Sequence, residues 1–296
     1  METQPNRFYN WGLFLLLSLI WGSSFILMKR GMYTATGEPT LSAYQVAALR
    51  MLSAGLALLP FALRNFRNVP REKIRYILLS GLLGSFFPAF LFCIAETKID
   101  SSLAGFLNAL TPIFTIVVGL LFFKASLQKN KVTGVAIAFI GMVVLFLANK
   151  TLNFQYLSYA GFALVATILY GFNVNIAHSH LKAIPSTTIA GIAFAALIPP
   201  SLLVLIFTGY FSMPLSAVDF WTSTGSATLL GVMGTAVATI LFYMLLKKAG
   251  AIFASMVTYG IPFIALGWGL LAGEQIQPLQ VAGLGIILIG VWMANK

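Results

Sequence analysis

Few side chains in this sequence can carry charge or polar chemistry away from water, and they recur at matched places. Arg50 stands about eight residues into an apolar run, roughly 12 Å deep at the rise of an α-helix. A guanidinium there is costly unless it meets a partner or faces water. It therefore either holds a carboxylate or phosphate of a bound solute or bonds backbone carbonyls at a helix break. Pro112 and Pro262 lie near the middle of their own runs. Proline has no N–H to donate, so the carbonyls one turn earlier, those of Asn108 and Thr258, lose their partners. Each place joins a freed acceptor to a polar side chain, with Thr111 and Thr115 near the face of Asn108 and Tyr259 beside Thr258. Unpaired polar groups in hydrocarbon cost on the order of several kcal/mol, so these must meet a wet cavity or a neighbouring helix. Bonding between helices is the competing use. Trp21 and Tyr170 occupy equivalent places in two further runs, with Asn173 one turn beyond Tyr170. They could wall a cavity or simply pack. The candidate solute contacts are Trp21, Arg50, Asn108, Thr111, Tyr170, Asn173, Thr258 and Tyr259; Pro112 and Pro262 are the candidate helix breaks. Asn175, Tyr243 and Trp268 are weaker candidates of the same kind.

Other chemistry lacks its groups. Glu96 and Glu274 sit at the ends of runs, as do His178 and His180, and no acid is expected mid-run. A carboxylate proton relay through the interior is unsupported, so proton coupling would have to use a helix-end group or be absent. The two histidines, without cysteine or carboxylate nearby, make a poor metal site, and no metal or cofactor is expected. An intramembrane enzyme would need a nucleophile with a base, or paired aspartates, at depth; no histidine lies deep in a run, so catalysis is not expected. Cys93 is the only cysteine, which excludes an intramolecular disulfide and leaves the redox compartment open.

The elements that hold these residues follow from composition. With 59% hydrophobic and 8% charged residues, the chain belongs in lipid as closed helices. Ten runs are expected to span, approximately Trp11–Met28, Ser42–Ala62, Ile74–Ile94, Ser101–Phe123, Val132–Leu147, Leu157–Ala177, Thr187–Phe207, Thr222–Leu246, Ile252–Ala272 and Leu279–Ala294. Each is long enough for a hydrocarbon core about 30 Å thick. The first run lacks a small-x-small cleavage site and is read as a span, not as a removed signal. No connection is long enough for a soluble domain.

A repeat organises the runs. Displacement by 150 residues lays Gly81, Gly84, Phe92, Lys98, Pro112 and Gly119 on Gly231, Gly234, Phe242, Lys248, Pro262 and Gly269; displacement by 149 sets Gly12, Gly22, Gly134 and Gly141 on Gly161, Gly171, Gly283 and Gly290. Residues 1–150 and 151–296 are thus two five-helix repeats of one unit. An odd number of spans turns the second repeat upside down, which is how carriers exchange inward-open and outward-open shapes. Glycine-spaced faces, including Gly134 with Gly141, Gly283 with Gly290, and Gly269 with Gly273, would serve tight helix contact or a homodimer equally.

If the spans alternate, 13 of the 18 basic residues fall on one side, among them Arg64, Arg67, Arg71, Lys129, Lys131, Lys182, Lys247 and Lys248. Basic loops stay cytoplasmic, so both termini are expected inside. The net charge of +11 reads as topology and anionic-lipid contact, not as a nucleic-acid surface.

The segments Trp21-Gly22-Ser23-Ser24-Phe25 with Lys29, Ala47-Ala48-Leu49-Arg50, Asn108-Ala109-Leu110-Thr111-Pro112, and Thr258-Tyr259-Gly260-Ile261-Pro262 through Leu270-Leu271-Ala272-Gly273-Glu274 resemble the EamA-type branch of the drug/metabolite transporter superfamily. The resemblance covers essentially the whole chain. It implies a ten-span permease of the bacterial inner membrane, commonly an exporter of amino acids, other metabolites or toxic compounds. The central cavity would be walled by the first, third, fourth, sixth, eighth and ninth spans. One departure stands out: Lys124 occupies the end of the fourth span, where the family often has a glutamate matching Glu274. The reading from the residues is a carrier of a small metabolite working by alternating access, with a channel-like facilitator or pore subunit as the alternative.

Overall fold

A computed structural model describes residues 7–99, 101–126, 128–148, 156–214, 217–271 and 277–294. The described residues are overwhelmingly helical, and their one strand-like feature is an isolated bridge between Tyr33 and Pro39. In chain order the helices are α1 (Arg7–Met32), α2 (Ala43–Asn65), α3 (Arg71–Gly81), α4 (Phe87–Glu96), α5 (Ser101–Asn108), α6 (Thr111–Phe123) and α7 (Lys129–Leu147). The second half continues with α8 (Leu157–His180), α9 (Ser186–Phe207), α10 (Val218–Gly231), α11 (Ala238–Ala249), α12 (Ala251–Ser255), α13 (Ile261–Leu271) and α14 (Pro278–Ala294).

Local sequence explains where several of them start and stop. Ser42 opens α2 with a reciprocal cap: its hydroxyl accepts from the Gln45 N–H at 3.2 Å while the Gln45 side chain accepts from the Ser42 N–H at 2.8 Å. At the end of α6, Lys124 takes a left-handed conformation (φ 49°) that stops the helix. Four of the expected runs are interrupted. Five π-helical residues, Leu82–Phe86, join α3 to α4, and six, Val232–Val237, join α10 to α11. These inserts occupy matching places under the 150-residue displacement, a feature that apolar periodicity does not reveal. Residues 109–110 separate α5 from α6, and the 3₁₀ turn Met256–Tyr259 separates α12 from α13. Pro112 and Pro262 therefore stand at the first turn of a new helix, where a missing N–H costs nothing; neither bends a continuous one.

Among the described residues, nine segments are long and apolar enough to cross a bilayer, and α14, with 17 residues, is shorter. Their outer faces carry apolar side chains such as Leu121, Phe122 and Phe207, as lipid contact requires.

Packing pairs the two halves. The most intimate contacts join α2 to α9 and α7 to α14. α1 lies against α10, α11 and α13, and α8 lies against α3, α4, α5 and α6. Small residues set the approach of α7 and α14: a Cβ on Gly141 would stand 2.6 Å from the Ile287 nitrogen, and one on Gly134 would stand 2.6 Å from the Gly290 carbonyl oxygen. The glycine faces of these two helices are thus spent inside the molecule, against each other. The Gly269 and Gly273 pair includes a position outside the described residues.

Contacts at the helix ends fix which ends lie together. Lys248 at the end of α11 sits over the ring of Tyr9 at the start of α1 (4.2 Å), and Tyr76 in α3 stacks on His180 at the end of α8 (4.0 Å). At other ends, Thr40 meets Ser223 in α10 (2.7 Å) just beyond α1, and Lys98 reaches Tyr156 just before α8 (5.6 Å).

Candidate functional site

A cavity of about 110 Å³ occupies the middle of the bundle. α1 supplies Trp21, Ser24, Phe25 and Met28, and α8 supplies Tyr170, Asn173 and Val174. The π-helical inserts contribute Gly84 and Ser85 from one half, Gly234 and Thr235 from the other. The broken helices bring Asn108 and Thr111, then Ser255, Thr258 and Ile261. α4 and α11 add Phe92, Thr239, Phe242 and Tyr243, and α2 adds a single residue, Arg50.

The aromatic walls are arranged by exchange. Trp21 packs on Phe242 with ring centroids 5.6 Å apart, and Tyr170 stacks on Phe92 at 6.1 Å. Trp21 corresponds to Tyr170 and Phe92 to Phe242 under the repeat displacements, so each half completes the ring pair of the other. The two aromatics singled out in the sequence do wall one cavity, each against a phenylalanine of the opposite half. The indole N–H of Trp21 donates to the Gly234 carbonyl at 3.1 Å, an acceptor inside the π-helical insert.

The broken helices are partly self-satisfied. The Thr111 hydroxyl donates to the Asn108 carbonyl at 2.7 Å, the acceptor that Pro112 leaves without an N–H, and lies 3.3 Å from Asn108 Oδ1. The Thr258 hydroxyl donates to the Ser255 carbonyl at 3.1 Å. These side chains border the cavity, yet the hydroxyls serve the backbone first. Asn173 joins a buried network in which Ser80 Oγ donates to Asn173 Oδ1 and lies 2.8 Å from the Tyr243 hydroxyl. Gly84 lets the Asn173 carboxamide fit, since a Cβ there would collide with it. Ser80 ties α3, α8 and α11 at the cavity edge; its partner under the displacement is Leu230, so the repeat gives it no signal.

Arg50 borders the cavity half-buried, and its Nε donates to Thr235 Oγ1 at 2.6 Å. Seven of the eight candidate contacts meet here. Tyr259 does not: it is fully buried on the far side of its turn, its hydroxyl 3.4 Å from the Val135 carbonyl of α7. Being next to Thr258 in a 3₁₀ turn aims it elsewhere. Asn175 and Trp268 also have other work. Asn175 clamps α8 to α6 by donating to the Thr115 carbonyl at 2.9 Å, and Trp268 donates to Ser23 Oγ at 3.0 Å. Tyr243, ranked with them, does line the cavity.

Glu96 requires a correction. It ends α4 as expected, but it is only 3% exposed, with Oε1 unpartnered among the described residues and Oε2 3.5 Å from Ser101 Oγ. A helix-end carboxylate is here an interior group. The displacement sets it on Leu246. Glu274 lies outside the described residues. Among the described residues no cluster of His, Cys, Asp or Glu could hold a metal ion.

A family model described as the EamA-like transporter family matches residues 10–147 and again 157–296. A probable amino-acid metabolite efflux pump of Salmonella typhimurium is 29% identical over 300 residues, covering 95% of this chain and 93% of its own. A protein of the same description from Escherichia coli is 28% identical over 295 residues, and an uncharacterized transporter of Archaeoglobus fulgidus is 25% identical over 294. One solved crystal structure superposes with a TM-score of 0.71 over 95% of this chain and 94% of its own, at 16% identity, a likeness of fold alone.

Proposed function

The chain belongs to the EamA-like transporter family and is a membrane transporter, and from that premise we propose that it exports small metabolites, such as amino acids or related compounds, by alternating access through the central cavity. The relatives' efflux descriptions support the direction. The proposal includes ten spans in two inverted five-helix repeats, with both termini on the cytoplasmic side of a bacterial inner membrane.

One observation carries this reading: interhelical partners are exchanged between the halves. α1 meets α10, α11, α13 and the 3₁₀ turn Met256–Tyr259, while its counterpart α8 meets α3, α4, α5 and α6; α2 meets its own counterpart α9, and α7 meets α14. Such reciprocity is what a twofold relation between repeats produces. The direction of the chain agrees with inversion. The start of α1 lies by Lys248, and the neighbouring Lys247 donates to the Ile184 carbonyl just after the end of α8, as opposite directions for α1 and α8 would require. The ring pairs exchanged across the cavity put the same relation at the site.

In this mechanism Asn108, Thr258, Trp21 and Tyr170 contact cargo, and the breaks near Pro112 and Pro262 let half-helices move against one another. The test is counterflow in proteoliposomes, run over a panel of amino acids and their derivatives. Saturable uptake driven by the same unlabelled compound inside the vesicle is expected, and Asn108→Leu should depress it several-fold with insertion unchanged. Flux that rises linearly with concentration and shows no counterflow would instead describe a pore.

A further inference from the structure

Arg50 is the one charged side chain on the described cavity wall, and most of its hydrogen-bonding capacity is unused. A guanidinium has five donor hydrogens in a planar fork. Only Nε has an acceptor among the described residues, Thr235 Oγ1, which is itself 3.3 Å from the Leu230 carbonyl. That bond orients the fork along one edge and leaves both terminal nitrogens for a second, planar acceptor. No ion pair satisfies Arg50 among the described residues, where the single pair within bonding distance is Lys73 with Glu72. Glu96 interacts through space with Lys29 and, less, with Arg50, but it lies off the cavity wall, one of its oxygens 3.5 Å from Ser101 Oγ.

We propose that the cavity is an organic-anion site, with Arg50 gripping a single carboxylate end-on and the exchanged ring pairs holding an apolar body. This rests on the transport reading above and names its substrate class. A positive charge in an otherwise uncharged, apolar-walled cavity attracts an anion and repels a cation. It also disfavours a free ammonium, because the described wall carries no carboxylate to balance one. Carboxylates without a second, cationic group, such as deaminated or N-acylated amino acids, therefore fit better than free amino acids, and organic amines fit worst.

The experiment uses the purified full chain and one aromatic skeleton in several charge states. Five tryptophans would share any fluorescence signal and only Trp21 lies in the cavity, so binding is read by isothermal titration calorimetry. We expect 3-phenylpropionate to bind at least about tenfold more tightly than its neutral amide, phenylalanine to fall between them, and 3-phenylpropylamine to bind no better than the amide. Arg50→Gln should erase the preference for acid over amide, and Arg50→Lys should keep part of it. Thr235→Val, which removes the orienting bond but not the charge, should preserve the sign of the preference while narrowing it. A structural role for Arg50 would instead weaken all ligands alike and make Thr235→Val resemble Arg50→Gln. Amine binding as tight as the acid's, an unchanged acid preference in Arg50→Gln, phenylalanine binding more tightly than the acid, or no acid binding would each overturn the proposal. Counterflow of amines alone would overturn it and still leave alternating access standing.

Discussion

Single residues at this site divide between those that meet the cavity and those that hold its wall. Ser80 and Asn175 hold: each satisfies groups on different helices, and neither stands at a position that the repeat marks. Glu96 belongs to neither class. Its carboxyl is buried at the end of α4, beside an apolar cluster that includes Ala95 and Ile99, with one oxygen unpartnered among the described residues and with Lys29 and Arg50 acting on it only through space, where the other half has Leu246. Burying a carboxyl without full hydrogen bonding is unfavourable in either protonation state. Glu96→Leu, which installs the residue of the matching half, should therefore raise thermal stability in detergent by about 1–3 kcal/mol. An unchanged or lowered melting temperature would mean that Glu96 has partners in solution which this conformation does not display.

Helical elements show why half the site was legible and half was not. Proline and glycine leave marks in a sequence because their backbone effects are local, so Pro112, Pro262, Asn108 and Thr258 could be paired before any fold was known. The π-helical inserts leave no such mark, since one extra residue in a helix changes no residue type. They nevertheless set Gly84 and Thr235 on the cavity wall, and the Gly234 carbonyl within one of them accepts from Trp21. Tyr259 stays off the cavity for a related reason: a side chain's direction in a 3₁₀ turn differs from that in the α-helix that periodicity assumes. The break between α5 and α6 offers a direct test. Alanine at position 112 restores an N–H one turn after Asn108, where the Thr111 hydroxyl now caps the carbonyl at 2.7 Å. Pro112→Ala should let α5 and α6 join into one helix, keep helical content by circular dichroism, and slow counterflow by about tenfold or more as Asn108 turns from the wall. Wild-type flux would remove the break from the mechanism.

On the scale of the whole molecule, the central cavity is framed by helices that exchange partners, while α7 and α14 pack together with no residue on its described wall. That pair is joined through backbone, not through large side chains. A Cβ on Gly141 would lie 2.6 Å from the Ile287 nitrogen and 2.8 Å from the Gly283 oxygen, and one on Gly283 would lie 2.9 Å from the Leu145 nitrogen. Helices that approach so closely gain van der Waals contact that lipid cannot supply, and they do so only while the crossing stays glycine. Because backbone cannot rotate away as a side chain can, even one methyl group must push the helices apart. Gly141→Ala should thus cost about 1–3 kcal/mol, read as a lower midpoint in thermal unfolding of the purified protein. Gly225→Ala in α10, where an added Cβ has nothing within 4 Å, is the matched control. It should be neutral or slightly stabilising, because alanine favours the helix that glycine weakens. If the two variants unfold together, the α7 and α14 crossing is not what joins the halves at this edge, and the exchange around the cavity must hold the molecule by itself.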